Sequence, residues 1–226
     1  MKQEPMAPIT EEEIANYLAN TPDFFERHAN LLAAVQLSSP HGHRAVSLQE
    51  RQAVLLREKI RALEFKAADM IRHGTENSAI ADKLQRWTRE LLRTREARDL
   101  PAVAKRAIAT QFLVPQVAIK VWGVSPEHAH EPFAQGASDD VVALVSSLTR
   151  PYCGANPGLE AVQWLDDPAA AASIALIPLR EGAGPQAFGL LVLASGDAQR
   201  FVSDMGTDFL ERIGEFASAA LSRLRP

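Results

Sequence analysis

The sequence predicts an α+β protein, with N-terminal helices and a long coiled-coil-like helix followed by an antiparallel sheet flanked by helices. Three observations predict it. Between about Ser47 and Arg95, apolar residues recur at alternating spacings of four and three, with no proline in between. At Val117, Ile119 and Val121 the period changes to two, the alternation of a strand. Ser173 to Leu179 and Phe188 to Ala194 are continuous apolar runs joined by a short glycine-rich turn, as expected of central strands paired antiparallel.

Taken in chain order, residues 1–8 hold Pro5 and Pro8 and read as a frayed start. Thr10 followed by Glu13 is a capping box, and Glu11 and Glu12 suit the positive end of a helix dipole. Ile14, Tyr17 and Leu18 share one face of that helix, which runs to about Asn20. Thr21-Pro22-Asp23 restarts a short helix bearing Phe24, Phe25, Leu31, Leu32 and Val35. These apolar faces require cover. Residues 38–46 read as a loop, and Ser47 with Glu50 as a second capping box.

The four-three stripe starts with Leu56, Ile60, Leu63, Ala67 and Met70, and the register continues through Gly74, Asn77, Leu84 and Leu91. A helix of that span is about 70 Å long at about 1.5 Å per residue. A small domain does not bury one stripe of such length, so the expected cover is a second copy of the chain or the N-terminal helices. Leu56, Ile60, Leu63, Ala67, Met70, Asn77, Leu84 and Leu91 are the expected dimer seam. Gly74, at roughly 1 kcal/mol below alanine in helix propensity, marks with Asn77 the expected weak point, where the alternative is a break near 73–78.

After the stripe, Asp99-Leu100-Pro101 starts a helix carrying Val103, Ala104, Ala107, Ile108 and Phe112. The 117–121 strand follows, then a turn over 123–130 and a short second strand over Glu131–Gln135. Ser138 caps a helix ended by Pro151, and CGANPG reads as a small-residue loop before a short strand near Ala161–Leu165. The last helix, from about Ser203 to Arg223, is expected to bury Phe209, Ile213, Phe216, Ala220 and Leu224. The organisation is therefore 1–46, short helices; 47–97, the dimerising helix; and 98–226, the α+β domain.

Composition narrows the function. The chain has 226 residues, 46% hydrophobic and 23% charged, which is a balance with ample material for a core. A net charge of −4 supplies no global attraction to nucleic acid or anionic membrane. No apolar run reaches the ~20 residues of a membrane span, and no secretory signal opens the chain, so the expected address is the cytoplasm. With Cys153 as the sole cysteine, an intrachain disulfide and a multi-thiolate zinc site are both excluded.

The segment FGLLVLASGDAQRFVSDMGTDFLERIGEF closely resembles the C-terminal signature of the bacterial domain of unknown function 484 family, and ITEEEIANYLANTPDFFERHANLL resembles its opening segment. The order helix, two strands, helix, loop, short strand, hairpin, helix is similar to that of a GAF domain. The resemblance implies a helical N-terminal region and a GAF-like domain, and it implies no activity.

GAF-like domains generally bind small ligands on the sheet face opposite the flanking terminal helices. That implies a pocket formed from Lys120, Trp122, Phe133, Tyr152, Cys153 and Trp164, with Lys120 meeting an anionic group. The alternative is that these aromatic residues simply fill the space. Cys153 lacks a neighbouring base in sequence and is not expected to be catalytic. The pairs His41/His43 and His128/His130 lie in loops without a third metal ligand, and Asp139-Asp140 and Asp166-Asp167 read as helix-start and turn residues.

Lys83, Arg86, Arg89, Arg93, Arg95 and Arg98 form a basic stretch diluted by acids, better read as the flank of a helix than as a nucleic-acid surface. No glycine-rich phosphate loop precedes a helix. The expectation is a non-enzymatic signalling module, a homodimer sensing a small molecule of unknown identity with cofactors unknown. The alternative is a structural adaptor that binds a protein partner and no ligand.

Overall fold

The protein is described from a computed structural model, which covers residues 9–34, 48–182 and 184–226. The start at 1–8, Val35, the 38–46 loop with His41 and His43, and the Ser47 cap lie outside the described residues. The chain divides into two compact units, Met1–Arg72 and His73–Pro226.

In the first unit, α1 (Glu11–Asn20) opens on the expected capping box. The Thr10 hydroxyl accepts from the Glu13 amide at 3.3 Å, and the Glu13 carboxylate accepts from the Thr10 amide at 2.8 Å. The following short helix is divided at His28 into α2 (Phe24–Arg27) and α3 (Ala29–Ala34). Tyr17 and Phe25 each meet Phe24 edge to face, at 5.9 and 5.3 Å between ring centres. The long helix α4 (Leu48–Arg93) runs through 46 residues without interruption, so no break occurs near Gly74. There the Ser78 hydroxyl donates to the Gly74 carbonyl at 2.9 Å.

Within its first unit α4 keeps large apolar side chains in solvent: Leu56 is 58% exposed, Ile60 53%, Leu63 64% and Met70 74%. Ala67 and, in the second unit, Asn77 are exposed too. Leu84 and Leu91 differ. Both are buried in the core of the second unit, with Trp87 fully buried between them, and they are corrected from seam to core. The Trp87 indole donates to the Ala104 carbonyl at 3.3 Å, which satisfies its one polar atom. The second compact unit spans His73–Pro226, and the last turns of α4, from Leu84, are one wall of its core.

That unit continues with α5 (Leu100–Phe112), β1 (Gln116–Val121), α6 (Asp139–Ser147), β2 (Tyr152–Ala155), β3 (Ser173–Arg180), β4 (Ala187–Ser195) and α7 (Asp208–Leu221). The four strands form one antiparallel sheet in the order β1-β4-β3-β2. Three expectations for strands and loops are corrected. Glu131–Gln135 is no strand but holds a 3-10 turn, Pro132–Ala134. Proline there removes an amide donor and fixes φ, which disfavours a paired strand. Ala161–Leu165 is likewise occupied by the 3-10 segment Glu160–Trp164, whereas the expected CGANPG loop begins with the edge strand β2. Its small residues fit closely, since a Cβ on Gly154 would lie 2.7 Å from the Tyr152 hydroxyl.

One face of the sheet carries Val117, Ile119, Val121, Ala175, Ile177 and Leu191 against α5, α7 and the end of α4. The other carries Ala118, Ile174, Leu176, Leu190 and Val192 against α6 and the 160–165 segment. α7 starts at Asp208, later than expected, and buries Leu210, Ile213, Gly214, Ala217 and Leu221. Phe216, expected inside, is exposed. The helix is turned so that Gly214 meets β3, where an added Cβ would lie 2.8 Å from Ile177 Cγ2. In β4, a Cβ on Gly189 would lie 2.7 Å from the Lys120 carbonyl oxygen.

Trp87 binds the end of α4 to this core, and its truncation removes a fully enclosed side chain. Trp87→Ala is expected to cost about 3–5 kcal/mol, read as a lower urea midpoint by circular dichroism. A loss below about 1 kcal/mol, the level of surface substitutions, would show that the tryptophan does not anchor the helix.

Candidate functional site

β1 is an outer strand of the sheet, and the cleft beside it contains residues anticipated from sequence. Trp122 N donates to the Phe188 carbonyl at 2.8 Å, which fixes the pairing phase of β1 with β4. Antiparallel pairs alternate between bonded and non-bonded positions, so Val117, Ile119 and Val121 turn their amides and carbonyls away from β4. Along this open side lies a cleft of about 350 Å³. Ala118, Ile119 and Lys120 form its floor; Arg98, Pro101, Ala102 and Lys105 form one wall, and Glu131, Pro132, Phe133 and Trp164 the other.

Lys120 is the organising side chain. Its ammonium donates to the Pro132 carbonyl at 2.7 Å and to the Gln135 carbonyl at 2.6 Å, drawing the 3-10 turn alongside β1. The same nitrogen lies 5.9 Å from the centre of the Trp164 ring, within reach of a cation–π attraction. Trp164 is held in turn, its indole donating to the Gly136 carbonyl at 3.1 Å. Burial pulls the Lys120 pKa below the ordinary lysine value, while its two carbonyl partners favour the charged form. Lys105 bridges to Asp166 at 3.3 Å. At the far end of β1, the Gln116 side chain donates to the Asp167 carbonyl and accepts from the Asp167 amide, both at 2.8 Å.

The structure thus gathers Lys120, Phe133 and Trp164 around one cleft, and separates the other three residues of the expected pocket. Trp122 shares the Lys120 side of the sheet but is packed onto its apolar layer, its indole donating to the Ala187 carbonyl at 2.7 Å. Tyr152 and Cys153 lie on β2, at the opposite edge of the sheet. Cys153 also faces the α5–α7 layer rather than the Lys120 side, because it pairs with Ala175. The shared pocket is corrected accordingly. One strand was misplaced: with β2 at 152–155, alternation sends neighbouring residues to opposite faces.

Arg98 and Lys105 were not assigned to a pocket by sequence. Arg98 lies on the 3-10 turn Ala97–Asp99 and Lys105 on α5, so no single helical periodicity links them, and Arg98 reads more readily as the end of the basic stretch. Asp139 and Asp140 stand in the first turn of α6 behind the Ser138 cap, and the Asp167 carboxylate accepts from the Ala170 amide. His128 lies 3.4 Å from Glu127. Among the described residues no group of three or more His, Cys, Asp or Glu is placed to hold a metal.

A second cavity, of about 420 Å³, is lined mainly by Ile108, Phe112, Leu193, Phe201, Met205 and Phe209 on the helical side. Its rim includes Arg200, whose guanidinium donates to the Phe112 carbonyl at 2.7 Å.

Fold and cleft together define a class: an antiparallel α+β domain preceded by a long helix, with its charged cleft beside the outer strand. Within that class, the chain belongs to the family described as protein of unknown function DUF484, whose model matches residues 4–225. Similar solved structures are GAF domains. One, assigned to a sensor histidine kinase of Pseudomonas syringae pv. tomato, is 17% identical with a TM-score of 0.45, covering 68% of this chain and 92% of that one. The GAF domain of Acinetobacter phosphoenolpyruvate-protein phosphotransferase is 16% identical with a TM-score of 0.46, covering 63% and 92%. The native GAF domain of the Escherichia coli potassium sensor histidine kinase KdpD is 19% identical with a TM-score of 0.41, covering 64% and 94%. Among curated proteins, none matches the chain.

The setting of Cys153 yields a direct test. Burial pushes its thiol pKa above the ordinary value, which lowers the thiolate fraction near neutral pH. In the folded protein its reaction with Ellman's reagent at pH 8 is expected to be at least about tenfold slower than in urea, as for a buried thiol. Equal rates would place Cys153 at the surface.

Proposed function

We propose that this chain is a non-enzymatic regulatory module of the cytoplasm. Its long helix pairs with a second copy as a coiled coil, and its α+β domain senses a small anionic molecule in the cleft beside β1. The observation that carries the sensing role is the chemistry of that cleft. Arg98, Lys105 and Lys120 supply positive charge, Trp164 and Phe133 supply flat apolar surface, and Glu131 and Asp166 offset only part of the charge. Its volume of about 350 Å³ is in the range of pockets for small ligands. A planar anion, such as an aromatic carboxylate, matches both kinds of wall.

What supports the pairing role is the exposed stripe of Leu56, Ile60, Leu63 and Met70. Large apolar side chains repeating on one helical face gain most by meeting another such face. The non-enzymatic reading rests on Cys153, whose raised pKa is the reverse of an activated nucleophile, and on a cleft whose lysine is already bonded to two carbonyls. No helix among the described residues is long and apolar enough to cross a membrane.

A second reading, an adaptor that binds a protein partner and no small molecule, is favoured by the apolar layer under α6. Trp122 packs into that layer instead of lining an opening.

A thermal-shift titration with a panel of aromatic carboxylates separates the two. The sensor reading expects a saturable rise in Tm of about 2–4 °C for at least one member, the size of roughly 1 kcal/mol of binding. The shift should be lost in both Arg98→Ala and Trp164→Ala. A flat response across the panel, or one indifferent to both substitutions, would leave the adaptor.

A further inference from the structure

The charges beside the exposed stripe of α4 specify how two copies run. In heptad terms Ile60 and Ala67 occupy the first core position, a, and Leu56, Leu63 and Met70 the second, d. The positions flanking this seam are then Gln52, Lys59 and Lys66 on one side, g, and Arg57, Glu64 and Ile71 on the other, e. All lie in the uninterrupted helix α4, within the first compact unit. Lys59 and Glu64 are exposed, and neither holds an ion pair within the chain among the described residues.

We propose that two copies of this chain pair through α4 in parallel and in register, each Lys59 meeting the partner's Glu64. The inference rests on the coiled-coil half of the reading above and adds to it a direction.

When two helices run the same way, each g side chain faces the e side chain five residues later on the other helix. Lys59 then faces the partner's Glu64, twice by symmetry. Gln52 faces the partner's Arg57, and Lys66 faces the partner's Ile71. The arrangement contains two attractions and no like-charged contact. When the helices run oppositely, g positions face g positions. That row holds Gln52, Lys59 and Lys66; with the Leu56–Met70 seam overlapped over its full length, Lys59 meets either the partner's Lys59 or the partner's Lys66. Opposed like charges on a helix surface disfavour an arrangement by about as much as ion pairs favour one. Core shape agrees: β-branched Ile60 at a beside Leu56 and Leu63 at d is the combination that favours two parallel strands.

Lys59 suits charge reversal because its neighbours three and four residues away are Leu55, Leu56, Ala62 and Leu63, so the change breaks no ion pair along its own helix. In the full-length protein, Lys59→Glu is expected to weaken dimerisation roughly five- to thirtyfold by sedimentation equilibrium, from two attractions turned into repulsions. Adding Glu64→Lys should restore the original constant. An antiparallel pair with the seam so overlapped predicts the opposite sign, since Lys59→Glu would relieve lysine–lysine repulsion and tighten the dimer.

Direction is also read directly by Leu56→Cys, Leu63→Cys and Met70→Cys, each oxidised separately with copper phenanthroline, the buried Cys153 serving as background. Parallel in-register helices cross-link to themselves at all three positions; oppositely running helices do so at one at most. A monomer at every concentration overturns the coiled-coil reading itself. A dimer that tightens on Lys59→Glu, or cross-links at a single position, overturns the direction alone.

Discussion

A sheet that is apolar on both faces must be covered twice, and this constraint governs the whole C-terminal unit. Every residue of β4 is buried, as are the first five of β3, so neither strand offers a face to water. One covering layer comes from α6 and the 160–165 segment; the other requires α5, α7 and the last turns of the long helix. Trp87 is the residue through which that helix enters the core. Gly189 and Gly214 mark where backbone and helix approach the sheet too closely for a side chain. Burial of this apolar surface is the principal favourable term in the unit's stability.

Much of the architecture was legible because periodicity reports which faces are buried. The two-residue alternation at 117–121 identified β1 and assigned its faces correctly, and the continuous runs at 173–179 and 188–194 identified the central hairpin. Thr10 with Glu13 gave the first helix start through local hydrogen bonding alone. The failures fall where local pattern competes with tertiary geometry. Pro132 turned an expected strand into a 3-10 segment, whereas Tyr152–Ala155 forms a strand because β3 offers it a bonding edge, which composition does not reveal. In α4 the four-three register continues through Leu84 and Leu91, but a heptad cannot report whether its cover comes from another helix or from the chain's own sheet. Trp87, outside that register, was the side chain that decided it.

The cleft was partly legible for a related reason. Alternation placed Lys120 on its side of the sheet, and Phe133 and Trp164 reach it from segments that are not strands. Lys105 joins them from α5, which leads into β1, and Arg98 from the 3-10 turn Ala97–Asp99 just before that helix. Tyr152 and Cys153 could not, since the strand order sets β2 as far from β1 as the sheet allows.

An outer strand with unpaired backbone groups is ordinarily a template onto which other chains stack, and proteins guard such strands. Here the guards stand at both ends of β1: Gln116 imitates a neighbouring strand toward Asp167, and Lys120 pins the Pro132 turn beside it. What remains open between them spans only a few residues. That gap is too short for the run of ladder bonds that seeds an extended aggregate. The same two side chains that shape an entrance also obstruct strand addition along this edge of the sheet.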